Sequence, residues 1–234
     1  LRDGIVSESG DSLLARDSAK AAGILSGLCD SGFGPAVPEL AEIRLYDPDM
    51  LDRSAAAELL LKNEKCLDAK GKRLLSDCFR AGWGVKADLK RSVALLEEAV
   101  RLGDVEAKAK MAWCLERGDG IEPDPARAAV LYKEAAEAGN PMAQVKMGEL
   151  CLRGKYTKTD IDQAAEWFKK AAAKKNPYAL FQLGVMAFEG IGRPADENAA
   201  ADYFFQAAKM GLPHAQFNIA TFFEEGRVVG EDKG

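Results

Sequence analysis

The sequence predicts an all-α chain, a right-handed α-solenoid of stacked helix pairs behind an N-terminal helical cap. Three observations carry this prediction. Twelve-residue runs of one pattern begin at residues 71, 107, 143, 179 and 215, each 36 after the last: GKRLLSDCFRAG, AKAKMAWCLERG, AQVKMGELCLRG, ALFQLGVMAFEG and AQFNIATFFEEG. Self-similarity at a fixed period of this length marks units that bury their apolar faces only by stacking. Each run closes on a glycine (Gly82, Gly118, Gly154, Gly190, Gly226), the residue that most readily stops a helix. Six residues later stands an aspartate (Asp88, Asp124, Asp160, Asp196, Asp232), whose carboxylate can cap the next helix.

The composition agrees with a packed domain. Hydrophobic residues make up 47% of the 234 and charged residues 29%, so enough apolar surface is available to fold. The net charge of −5 makes the chain a poor binder of phosphate backbones. No apolar run approaches the roughly 18 residues of a membrane span.

Residues 1–10 are expected to fray. A helix then runs from Asp11 or Ser12 to about Cys29, and Ser31-Gly32-Phe33-Gly34-Pro35 reads as a turn. A short helix from Pro38 to Leu45 is broken by Asp47-Pro48. Asp52 through Cys66 reads as a second helix, since Asp52, Ala56 and Leu59-Leu60 fall 36 before Asp88, Ser92 and Leu95-Leu96. The expected organisation is therefore an N-terminal helical segment (1–34), a degenerate repeat or cap (35–70) and the repeats (71–234), the last incomplete. A piece of a preceding domain is the alternative for the first part.

Within each full copy, the first helix ends at the glycine and the aspartate opens the second. A bulky pair (Leu95-Leu96, Leu131-Tyr132, Trp167-Phe168, Tyr203-Phe204) and small residues (Ala99, Ala135-Ala136, Ala171-Ala172, Ala207-Ala208) follow, as close helix crossings require. The second helix stops near Gly103, Gly139 and Gly211, with Lys175 in that place in copy three. Pro141, Pro177 and Pro213 then suit the first turn of the next helix.

These residues, with AQVKMGELCLRG, Asp160 and AAEWFKKAAAKKNP the nearest to consensus, closely resemble the Sel1-like repeat, a relative of the tetratricopeptide repeat. The resemblance covers residues 71–234. Tyr156 departs from it by replacing the second loop glycine in copy three. Copy five stops in its loop, and the chain begins at Leu1 without Met, so the natural protein is expected to extend beyond this piece.

The resemblance implies partner binding: a scaffold or adaptor holding a protein, peptide or helix in a concave groove lined by the first helices. By likeness to tetratricopeptide domains, the groove positions are the third, seventh, tenth and eleventh of each copy. They select Arg73, Asp77, Arg80, Trp113, Arg117, Glu149, Arg153, Phe181, Val185, Phe188 and Glu189, with Phe217 and Glu224 in copy five. Arginines dominate the early copies, copy four is apolar and copy five acidic, a gradient that could orient an extended ligand. Trp113 is the expected anchor, because tryptophan and arginine dominate binding hot spots. Phe181 and Phe217 read first as packing between repeats rather than as groove contacts. Trp83, in the Gly82-x-Gly84 loop, reads either as a partner site or as packing on the next loop. The lysines of copy three read as solvated helix faces, and nucleic acid is not expected. Self-association through a terminal repeat is a further expectation.

The single histidine, His214, and the absence of phosphate-loop, HExxH and GxSxG patterns argue against catalysis, a cofactor or a metal. The alternatives are a regulatory repeat segment of a larger multidomain signalling enzyme and, more remotely, a weak hydrolase. The five cysteines (Cys29, Cys66, Cys78, Cys114, Cys151) lack the second cysteine per copy that ties each unit in the secreted, cysteine-rich Sel1 branch. Reduced thiols and a cytoplasmic setting are therefore expected.

Overall fold

Asx residues start the helices and glycines stop them, so the 36-residue period of sequence becomes a period of structure. The computed structural model describes residues 10–154 and 159–225, the side chains of 10–17 excepted. The described residues form α1 (Gly10–Asp30), α2 (Ala36–Tyr46), α3 (Arg53–Lys62), a 3-10 turn at Glu64–Cys66, α4 (Ala69–Ala81), α5 (Leu89–Arg101), α6 (Val105–Arg117), α7 (Pro125–Glu137), α8 (Pro141–Arg153), α9 (Ile161–Ala173), α10 (Pro177–Glu189), α11 (Glu197–Lys209) and α12 (Pro213–Glu224), with no strand among them. No described helix is long and apolar enough to cross a membrane.

The expected caps are in place. Asp88, Asp124, Asp160 and Asp196 accept bonds of 2.8–3.0 Å from the backbone N–H of Arg91, Arg127, Gln163 and Ala199. Asp232, Gly226 and Tyr156 lie outside the described residues. Asp52 caps α3 the same way, through Ala55 N–H at 2.9 Å. Here α3 ends earlier than the sequence suggested, at Lys62. Asn63 closes it by donating its side-chain amide to the Leu59 carbonyl at 2.8 Å. The first helices carry caps that sequence reading missed: Asp68, Asp104, Asn140 and Asn176 accept from Gly71, Ala107, Ala143 and Ala179. Each such cap contributes about 1 kcal/mol.

The helix stops are equally regular. Gly82, Gly118, Gly154 and Gly190 all adopt the left-handed conformation at the ends of first helices. The second loop glycine has a different task. At Gly84 a Cβ would come within 2.7 Å of Ser54 Cα, so only glycine lets this loop lie against the start of α3.

The chain divides between Pro123 and Asp124 into two compact units. In the N-terminal unit α1 packs on α2, α2 on α3 and α4, α3 on α4, α4 on α5, and α5 on α6. Its core gathers Leu45, Leu60, Leu74, Leu75, Cys78 and Leu95. In the C-terminal unit each helix from α7 to α12 packs on the next. Phe168 and Phe204, both buried, fill its layers. They fit because a glycine faces each one: a Cβ on Gly148 would approach Phe168 to 2.5 Å, and one on Gly184 would approach Phe204 to 2.6 Å. Ser76 and Leu96 occupy the same two repeat positions in copy one, where Ser76 instead bonds Ser92 across the helix pair at 2.9 Å.

Candidate functional site

The first helices carry the positions that sequence reading selected, and the two units use them differently. In the N-terminal unit, α4 presents Arg73, Asp77 and Arg80 one turn apart. Arg73 and Asp77 are buried, at 6% and 3% exposure. Their charges are consumed internally. Arg73 lies 3.2 Å from Asp104 and 3.4 Å from Glu106. Asp77 accepts from Lys110 Nζ at 2.5 Å and from the Tyr46 hydroxyl at 2.7 Å. Lys110 reaches Glu106 as well. A charge this deep is tolerated only when its hydrogen-bonding capacity is met. Arg73 and Asp77 therefore tie α2, α4 and α6 together rather than face a ligand.

The network also sets the protonation of its neighbours. Burial, and next the Asp77 carboxylate, push the Cys78 thiol up to about 12. The same two causes, in the same order, push the Tyr46 hydroxyl above its ordinary range. Burial raises the Cys114 thiol. Thiols held neutral in this way are poor nucleophiles, and none of the five cysteines forms a disulfide.

Arg80 and Arg117, by contrast, are exposed at the last turns of α4 and α6. Both guanidinium groups sit over the half-buried Trp113 ring, at 5.4 Å and 4.8 Å from its centroid. Trp83 is packed rather than free: it meets Tyr46 edge-on at 5.9 Å and lies under Arg53 at 4.2 Å.

In the C-terminal unit, Glu149 is half-buried beside Lys146 at 3.4 Å and Arg153 is exposed. Phe181 is packed, its ring 5.5 Å from Phe204 and 6.1 Å from His214. Val185 is partly buried against the same cluster. Phe188 contacts Phe222 at 5.3 Å and keeps an exposed edge, and Glu189 is exposed. Phe217 is 72% exposed on α12, the last of the described helices.

Among the described residues no group of three His, Cys, Asp or Glu side chains could hold a metal ion. A depression of about 720 Å³ at the start of α5 is lined by Phe79, Lys86, Asp88, Leu89, Lys90 and Arg91, and its carboxylate, Asp88, is the one that caps α5. Arg91 is spent there on Glu64, at 2.9 Å, and on the Phe79 ring.

The Sel1 repeat profile matches residues 69–104, 105–140, 141–176 and 177–212. The chain belongs to the Sel1 repeat family. These four spans open at the first residues of α4, α6, α8 and α10. Solved Sel1 structures agree. A Sel1 repeat protein from Oxalobacter formigenes is 28% identical with a TM-score of 0.73, over 85% of this chain and 57% of that one. A protective antigen of uropathogenic Escherichia coli that displays an SLR fold is 24% identical with a TM-score of 0.70, over 89% and 45%. An immunity protein from Pseudomonas aeruginosa is 21% identical with a TM-score of 0.56, over 78% and 67%. The chain thus spans about half the length of the first two. No curated protein matches it. Sel1 repeat proteins are generally protein-interaction scaffolds and typically non-enzymatic.

Proposed function

We propose that this chain is a scaffold or adaptor that holds a protein partner on the exposed faces of its first helices. One observation carries the reading. The first-helix positions that stay at least partly exposed on the N-terminal unit hold the residue types that dominate interface hot spots: Trp113 with Arg80 and Arg117. Surface aromatics not needed for the core are a cost in solubility that a partner removes. Arg73 and Asp77 drop out of the binding set because they are internal. On the C-terminal unit the exposed Arg153 and Glu189 are the charged first-helix positions offered to a partner.

The test is affinity capture from the native source with the wild-type chain beside a Trp113→Ala/Arg153→Glu variant, the variant first shown by circular dichroism to be folded. The expected result is a partner retained by the wild type and lost by the variant. A partner held equally by both sinks the first-helix assignment and moves the search to Trp83 and α1.

A further inference from the structure

The scaffold reading leaves open what chemistry the partner presents. Resting on that reading, we infer that Arg80, Trp113 and Arg117 form a seat for an acidic peptide segment, whose side-chain carboxylates the two guanidinium groups receive. Among the described residues Arg80 makes no ion pair, and its guanidinium group sits over the Trp113 ring. Arg117 meets Asp119 at 3.5 Å, the arginine exposed and the aspartate half-buried. Exposed arginine normally loses considerable rotamer freedom when it binds. Here the indole, fixed on α6 between the buried Ala112 and Cys114, already holds both groups. A stacked guanidinium keeps its N–H edge free, and that edge matches a carboxylate in bidentate fashion.

The charges around the seat favour this occupant. Two cations share one ring, and their mutual repulsion falls when an anion joins them. Asp77, buried on the same helix as Arg80, is already paired with Lys110 and accepts from the Tyr46 hydroxyl, so its charge is largely compensated. Asp119 is the carboxylate already beside Arg117, and an incoming carboxylate competes with it there. A nucleic-acid backbone fits poorly. One indole with both arginines committed to it offers no row of stacking platforms, and the chain carries net negative charge. A short run of Asp or Glu side chains matches a seat with two forks.

The test uses nuclear magnetic resonance of the 15N-labelled full chain, following the Trp113 indole N–H and the Arg80 and Arg117 Nε–H signals. The probes are a glutamate-rich hexapeptide with an amidated C-terminus, the same peptide with a free C-terminal carboxylate, its glutamine analogue and inorganic phosphate. The amidated acidic peptide should shift the three signals saturably and the glutamine analogue should not. Arg80→Gln and Arg117→Gln should each weaken binding by about tenfold. Arg80→Lys should weaken it nearly as much, because the fork is lost. Lys90→Gln, an exposed lysine elsewhere on the unit, should leave it unchanged.

Equal shifts with the glutamine analogue overturn the inference, as does binding only of the free-carboxylate peptide or of phosphate. An equal loss in Lys90→Gln overturns it too, by showing unspecific attraction. A native partner captured through Trp113 but not displaced by the acidic peptide leaves the scaffold reading standing and removes the acidic seat. An acidic peptide bound at Arg80 beside capture indifferent to Trp113 does the reverse.

Discussion

The two units solve one packing problem with opposite chemistry. In the N-terminal unit the first helices are joined by ions: Arg73 to Asp104 and Glu106, Asp77 to Lys110 and Tyr46. In the C-terminal unit they are joined by rings: Phe181 and Phe222 each meet Phe204, and Phe188 meets Phe222. The second helices follow suit. Copies three and four set a phenylalanine against a bare glycine, whereas copy one holds Leu96 and a Ser76–Ser92 bond at the same positions. The repeat thus specifies the volume at each position and leaves its polarity free. Aromatic burial gains strength from area, while the ionic joint adds directional constraint at a desolvation cost.

The largest effect expected from breaking this contrast lies at Phe204. Phe204→Ala leaves a ring-sized cavity under α10 and α12 and should cost about 4 kcal/mol in the C-terminal unit. Phe204→Leu alone should cost less, and Gly184→Ala alone about 1–3 kcal/mol, since the new Cβ meets the Phe204 ring. Combined, Gly184→Ala and Phe204→Leu should recover much of both losses, because the added methyl fills the space the smaller side chain leaves. Urea unfolding followed at Trp167, with Trp83 and Trp113 replaced by phenylalanine, reads this unit directly. Strict additivity of the two losses would show that volume is not the quantity the repeat conserves.

That trade of volume marks where the sequence was legible. Aspartate caps, glycine stops and N1 prolines depend on a residue and its neighbours along the chain, so the 36-residue register exposes them. Asp68, Asp104, Asn140 and Asn176 obey the same register and could have been read from it, had Asp and Asn been treated as equivalent acceptors. Arg73 and Asp77 could not. Asp77 is reached by Tyr46 from α2, outside the matched repeats, and Arg73 is met by Asp104 and Glu106 some thirty residues on. A charged residue at a groove position therefore read as a contact for a partner. Phe181 and Phe217, identical in register, part company for a related reason. Phe181 meets Phe204 and His214, whereas Phe217 on α12 lies open.

The ionic joint predicts a difference in alkaline stability between the units. In the folded N-terminal unit, burial and Asp77 hold Cys78 protonated to about pH 12, against an ordinary value of 9.0. Tyr46 is held protonated above its ordinary 10.0. The unfolded chain releases these protons at the ordinary values. Stability from both groups is therefore complete below pH 9 and declines as pH rises from about 9 towards 12. The urea midpoint reported by Trp83 and Trp113, in a Trp167→Phe chain, should fall across this window faster than the midpoint reported by Trp167. Cys78→Ala with Tyr46→Phe should bring the two profiles together. Parallel profiles in the unsubstituted units would mean that the ionic joint does not govern the alkaline limit.

The smallest expected effect is a gain. Second helices end on Gly103, Gly139 and Gly211 in the left-handed conformation, and Lys175 takes that conformation with φ of 57°. A side chain there crowds the following carbonyl at a cost of roughly 1 kcal/mol, whereas glycine adopts it freely. Part of that gain is lost because glycine gives the unfolded chain more freedom. Lys175 makes no ion pair among the described residues to offset the change, and the adjacent Lys174, which donates to the Gly139 carbonyl, is left in place. Lys175→Gly should therefore stabilise the C-terminal unit by about 0.5 kcal/mol, seen as a raised urea midpoint at Trp167 with the Trp83 and Trp113 midpoint unmoved. Lys175→Ala, which keeps the Cβ and removes only the charge, should give no such gain. Equal effects from the two substitutions would place the origin in the lysine charge rather than in the backbone.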